Sequence, residues 1–169
     1  QLVAVLASQV RSASADMDLL EDEIRRVGAL DSTFVRLAPL TGAFTAAVLV
    51  TYCDPGGAQS LRQFEKACGL NLREFSSGEH RGRVAITKRG PALVRQILYM
   101  FALRMLSKSA VINAWYARRQ GHTESSKARA VVAVMRKLVK ALFHVAHGQK
   151  FDATKLFDMR RLKLQADKV

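Results

Sequence analysis

Acid is scarce in this sequence. Of 169 residues only 14 are Asp or Glu, against 27 Lys and Arg, which leaves a formal net charge of +13. A balance this basic calls for a polyanionic partner, and nucleic acid and an anionic membrane both supply one. Long apolar runs are missing as well. No stretch approaches the ~20 residues of a spanning helix, and the longest is interrupted by Arg95 and Arg104, so nucleic acid is preferred over membrane. Cysteine is nearly absent. Cys53 and Cys68 have neither metal-type spacing nor the numbers for a cystine framework, which suits a reducing cytosol. No secretory signal, internal repeat or low-complexity tract is visible. The first residue is Gln1, already inside a helical pattern, and the expectation is a piece of a longer protein.

The charge is unevenly spread. Residues 1–33 hold six acids and three bases, so the remainder carries an excess of +16. In the acidic part Val3, Leu6, Val10, Ala13, Met17, Leu20, Ile24 and Val27 recur at alternating spacings of three and four, which keeps one apolar seam facing a partner helix. The pattern predicts a coiled-coil arm over 1–33 that joins copies of the chain; an ordinary amphipathic helix lying on the domain is the alternative.

The run from Phe34 to Val50 reads as a helix end, a tight turn over Pro39 to Gly42, and a second helix. This is a helix-hairpin-helix-like opening, in which amides near Gly42 would cradle a phosphate; a simple helix-joining turn is the competing reading. Asp54-Pro55-Gly56-Gly57 marks a turn, and Leu61, Phe64 and Cys68 mark a short helix closed by Gly69. Gly90 and Pro91 then open a helix that is apolar nearly all round, from Leu93 to Leu106, which predicts the central core helix. Another helix runs from Ala110 to Gln120, with Trp115 read as a core anchor in preference to a base-stacking platform. From Lys127 to His147 a last strong helix turns Val131, Val134, Met135, Leu138, Leu142 and Val145 inward and leaves Arg129, Arg136, Lys137 and Lys140 outside that stripe, where they suit a phosphate backbone, a plainly solvated face being the default reading. His144 and His147 share a spacing that could hold a metal, but no nearby Cys or carboxylate completes a site, and no metal ligand is assigned. The tail 151–169 is basic and offers Phe151, Leu156 and Phe157 as a strap. The fold class expected is all-α: an arm, a compact helical domain over 34–150, and the tail.

The segment 73–90 is the most informative. It sets Ser76 and Ser77 in a glycine-flexed loop among Arg73, Arg81, Arg83, Lys88 and Arg89, just before the helix at Pro91. A serine hydroxyl among guanidinium groups can attack a phosphodiester, because the cations hold the phosphate and neutralise charge developing on its oxygens. A basic loop that merely grips nucleic acid fits the same residues, and a coiled-coil assembly protein is a third reading.

The order Leu37-Ala38-Pro39-x-x-Gly42-x-x-Thr45-Ala46, Arg62-Gln63-Phe64, Ala67-Cys68-Gly69-Leu70, Ser76-Ser77-Gly78, Gly82-Arg83-x-x-Ile86-x-Lys88-Arg89-Gly90 and Ala133-Val134-Met135-Arg136-Lys137-Leu138 resembles one family. It is similar to the carboxy-terminal transposase domain of the "insertion sequence one-ten" DEDD transposases, the bridge-RNA-guided serine recombinases. The resemblance runs from about Phe34 to Phe157. It implies a mostly helical domain that acts on DNA, a serine that forms a covalent link with it, and a RuvC-like domain elsewhere in the enzyme that supplies acidic ligands for Mg²⁺. The present chain would need no cofactor and would be inactive alone. The resemblance maps the nucleophile to Ser77, next to Gly78, with Ser76 as the substitute. It also implies a guide RNA as partner and a cytoplasmic, nucleoid-associated protein of a prokaryote. The sequence departs from the family pattern at Leu40 and Thr41 in the hairpin and at Glu79-His80 in the loop.

Overall fold

The computed structural model describes residues 1–77 and 80–157; for 75–77 and 80–83 it describes the backbone alone. The fold is all-α with one small sheet. Helix α1 (Leu2–Gly28) is followed by α2 (Ser32–Thr41), α3 (Ala43–Cys53) and α4 (Leu61–Ala67), then strands β1 (Leu72–Ser77) and β2 (His80–Ile86). Helices α5 (Ala92–Lys108), α6 (Ala110–Arg119), α7 (Glu124–Ala146) and α8 (Ala153–Leu156) complete the described chain.

The helices start where short polar side chains can take up free amides. Asp31 accepts from the Phe34 amide at 2.8 Å, Ser60 from that of Gln63 at 3.2 Å, and Ser109 from that of Ile112 at 3.4 Å. Thr123 and Ser126 bond reciprocally in a capping box, which carries α7 back to Glu124, ahead of the Lys127 start that apolar spacing predicts. At the other end of α7 the Arg36 guanidinium donates to the Ala146 carbonyl at 2.7 Å, satisfying a group the helix leaves unpaired.

Helices α5 and α7 form the centre, with α6 and α3 on α5 and with α2, α4, α6 and α8 on α7. All six predicted inward residues of α7 are buried. On α5, Val94, Ile97, Leu98, Phe101, Met105 and Leu106 enter the core, whereas Leu93, Met100 and Leu103 stay exposed, because α3 and α7 cover only part of its circumference. The α5 stripe is therefore apolar beyond the face that it buries. Residues 151–157 of the tail pack onto the same core: Phe157 is 1% exposed, its ring centroid 5.2 Å from that of Trp115.

Two local expectations are corrected. The turn predicted over Pro39 to Gly42 is a single residue. Helix α2 runs through Pro39 to Thr41, since proline costs only one helical bond there and Val35, whose carbonyl it leaves unpaired, lies at the surface. Gly42, at φ 87°, then breaks the path and starts α3. The second correction concerns 73–90, where the predicted loop is mostly a two-stranded antiparallel hairpin. Its branched and apolar residues Leu72, Val84 and Ile86 suit strands, and Leu72 pairs with Ile86, Arg73 with Ala85, and Glu74 with Val84.

Helix α1 buries none of its residues. Val3, Val10, Met17 and Leu20 along its seam are 64–80% exposed, and only its last turns approach the body, where Ile24 is partly buried against the core. Among the described residues no single helix is long and apolar enough to cross a membrane.

Candidate nucleic-acid interface

The hairpin is fastened to the helical core by its root. Gly69 closes α4 in the left-handed region at φ 69°, and its amide donates to Lys66 O at 3.0 Å while that of Leu70 reaches Glu65 O at 3.0 Å. This is the two-bond closure that glycine favours at a helix end. The same glycine lies against Gly90: a Cβ on Gly69 would stand 2.6 Å from the Gly90 nitrogen. Between these contacts, the Lys88 amide donates to Gly69 O at 3.1 Å and the Thr87 amide to Asn71 O at 2.9 Å. The Thr87 hydroxyl also meets Asn71 Oδ1 at 2.5 Å, and Arg95 donates to Gly90 O at the start of α5. The root is thus tied to the rigid centre while the strands extend from it.

Ser77 is the last residue of β1 and pairs with His80; the ladder is irregular between Phe75 and Ser77, at Ser76. The side chains of Ser76, Ser77, Arg81 and Arg83, and the whole of Gly78 and Glu79, lie outside the described residues. Arg73 is exposed on β1. Lys88 and Arg89 are exposed beyond β2, and Lys88 is held at φ 55°, a left-handed conformation that a non-glycine residue adopts at a cost.

The second group of predicted cations sits on α7. Arg136 donates through Nε to Leu70 O at 3.0 Å and lies 3.9 Å from Glu65, so it ties α7 to the hairpin root. Lys137 donates to Leu156 O at 2.8 Å and stands over the Trp115 and Phe157 rings at 5.8 and 5.5 Å. Lys140, one turn on, is exposed. Gly42 stands apart from both groups; its amide donates to Ala38 O at 2.8 Å, and Arg104 of α5 donates to Thr41 O beside it. Composition alone did not bring out Arg95, Arg104 or Arg119 as parts of these surroundings. For Arg119 a signal existed, since it follows Trp115 by four residues on one helix and so shares its face.

Both cysteines are free and buried. The Cys68 thiol is hydrogen-bonded to that of Cys53, and that contact together with burial pushes its pKa far up, which keeps it protonated. Among the described residues no group of three or more His, Cys, Asp or Glu could hold a metal ion.

The comparison with known families bears on the helical body and the rooted basic hairpin between α4 and α5. Residues 35–117, from α2 through the hairpin into α6, match the family model described as Transposase IS116/IS110/IS902 family. Residues 35–117 are thus similar to that transposase family, which supports a transposase or recombinase role in general. No curated protein matches the chain.

Proposed function

We propose that this chain is the DNA-binding, serine-bearing part of a transposase that cuts and rejoins DNA through a phosphoserine intermediate. The observation that carries the reading is the position of Ser77 at the end of β1, in a cation-rich hairpin inside the family-matched segment. In the step proposed, Ser77 Oγ loses its proton to a base and forms a bond to phosphorus. The bond from phosphorus to one ester oxygen breaks, and that oxygen leaves as a protonated strand end. Attack by another strand's hydroxyl on the phosphoserine reverses the sequence and joins new ends, so the ester bond energy is kept for rejoining. Arg81, Arg83, Lys88 and Arg89 hold the phosphate and offset the charge on its equatorial oxygens.

The acidic ligands for Mg²⁺ that the resemblance implies have no counterpart cluster among the described residues, and no step here is routed through the metal. They belong to a RuvC-like domain of the full enzyme, with which the chain acts on DNA under a guide RNA, as a homo-oligomer joined through the α1 seam. In the absence of that domain the present chain binds nucleic acid without cutting it. Binding should weaken steeply with salt, because every neutralised phosphate releases counterions.

The test is a denaturing gel with end-labelled DNA, using the chain joined to its upstream acidic domain and supplied with Mg²⁺. A protein–DNA adduct should form and should vanish in Ser77→Ala, with DNA affinity little changed, because alanine removes only the nucleophilic oxygen. Ser76→Ala should be milder. An adduct retained in Ser77→Ala moves the nucleophile elsewhere, and a loss of DNA binding in that variant favours a hairpin that only grips the backbone.

A further inference from the structure

Beyond the hairpin, α4, α6 and α7 enclose a cleft of about 260 Å³ lined by Glu65, Trp115, Arg119, Arg136, Lys137 and Lys140. Its lining holds four cations and one carboxylate, and the carboxylate is already engaged with Arg136. Trp115 is half-buried, backed by Phe157, and the Arg119 guanidinium carbon lies 5.2 Å from its ring centroid. An arginine laid on a tryptophan is a preformed platform: its planar group can stack under a nucleobase while its donors reach a phosphate. Arg119 and Lys140 are both exposed, on facing helices.

We infer that this cleft is a second nucleic-acid site, which takes an unpaired nucleotide of a single strand. The base stacks on the Arg119–Trp115 pair, and the adjoining phosphates lie between Arg119 and Lys140. Duplex DNA keeps its bases stacked inside and presents only backbone, so it cannot use the platform, whereas an unpaired base can. The cleft also adjoins the serine hairpin physically. Arg136, which lines it, donates to the carbonyl of Leu70, two residues before β1. From Leu70 to Ser77 the chain spans at most about 25 Å at ~3.3 Å per strand residue, so a few nucleotides of one strand bridge cleft and serine. The cleft thereby holds the flank of the strand that the hairpin engages. This inference rests on the nucleic-acid reading proposed above but not on the serine chemistry.

Trp115 is the only tryptophan of the chain, so its fluorescence reports the site directly. The probe is an oligothymidylate of about eight nucleotides, within the usual span of single-strand sites, titrated at low salt against a duplex of equal charge. Binding is followed in parallel by anisotropy of a labelled copy. The single strand should quench Trp115 emission along the same curve as the anisotropy, and the duplex should bind without that quench. Arg119→Ala combined with Lys140→Ala should weaken single-strand binding about tenfold or more and flatten its salt dependence. Trp115→Phe keeps a ring against Phe157 and should fold; its single-strand affinity, read by anisotropy, should fall while duplex affinity holds. Ser77→Ala should leave the quench intact, which separates this site from the chemistry. Single-strand binding with no change in Trp115 emission, or an equal quench by duplex, would overturn the inference. Absence of all nucleic-acid binding would overturn the broader reading with it.

Discussion

Gly69→Ala should cost this fold clearly more than Gly148→Ala, although the two glycines do the same local work. Each follows a helix in the left-handed region, at φ 69° and 88°, and each is closed by the same pair of bonds. The Gly69 and Leu70 amides reach Lys66 and Glu65; the Gly148 and Gln149 amides reach Val145 and His144. An alanine pays about 1–2 kcal/mol for that backbone at either place. The difference lies in what the new methyl meets. At Gly148 there is nothing within 4 Å, whereas at Gly69 the methyl would lie 2.6 Å from the Gly90 nitrogen, 3.0 Å from the Arg95 guanidinium and 3.1 Å from the Gly90 Cα. Backbone cannot rotate aside as a side-chain tip does, and overpacking of this kind adds about 1–3 kcal/mol. A kcal/mol shifts the melting temperature of a chain this size by about 2–4 °C, so the two variants should melt roughly 2–12 °C apart. Thermal scans by far-ultraviolet circular dichroism measure the gap. Because the clash opens the hairpin root, Gly69→Ala should also lose DNA affinity at temperatures where it remains folded, and Gly148→Ala should not. Equal melting temperatures, or equal DNA affinities, would refute the claim that the Gly69–Gly90 contact fixes the hairpin.

Lys88→Gly should separate stability from binding: it relieves a φ of 55° and should stabilise the fold by up to about 1 kcal/mol, yet it removes a hairpin cation and should weaken DNA binding, as a melting scan and a salt titration would show. Leu20→Glu with Ile24→Glu places charge in the α1 seam, and sedimentation should show smaller species than for the parent chain; an unaltered assembly state would rule out the seam. The raised pKa of Cys68 gives a signed pH effect. The unfolded thiol ionises near its usual 9.0 while the folded one stays protonated, so the stability that this group contributes is complete below about pH 9 and falls as pH rises. Its partner Cys53 is shifted down by the same contact and offsets part of this loss, so the slope stays below the ~1.4 kcal/mol per pH unit of one unopposed proton. Denaturant melts from pH 8 to 10 should show a steeper loss for the parent chain than for Cys68→Ala, and identical slopes would deny the thiol its part.

What the sequence makes legible here is what a single element decides for itself. The inward stripe of α7 from Val131 to Val145, the start of α5 at Pro91 and the closure of α4 at Gly69 depend on spacing and on one residue's backbone, and the structure has all three. The start of α7 was less visible, because Ser126 stands where a capping box more often has Glu or Gln. Pro39 was misleading for a physical reason: a proline late in a helix forfeits little, so the break falls at Gly42 instead. The hairpin was hidden by its glycines and charges, which read as loop, while its strand character rests on cross-strand pairs such as Leu72 with Ile86 that no local window contains. The surroundings of the candidate site depend still more on distant partners. Gly69 meets Gly90, Arg136 meets Leu70, and Arg119 meets a cleft whose far wall is α7. Each contact joins elements separated along the chain, so cations can be counted from sequence but their grouping cannot. That grouping sets the chemistry. Arg136 is tied to the Leu70 carbonyl and to Glu65, and so joins α7 to the hairpin root; Lys140, on the same helix and one turn away, is exposed. Equal charges on neighbouring turns thus have different surroundings, and substituting them one at a time should separate loss of fold at Arg136 from loss of binding at Lys140.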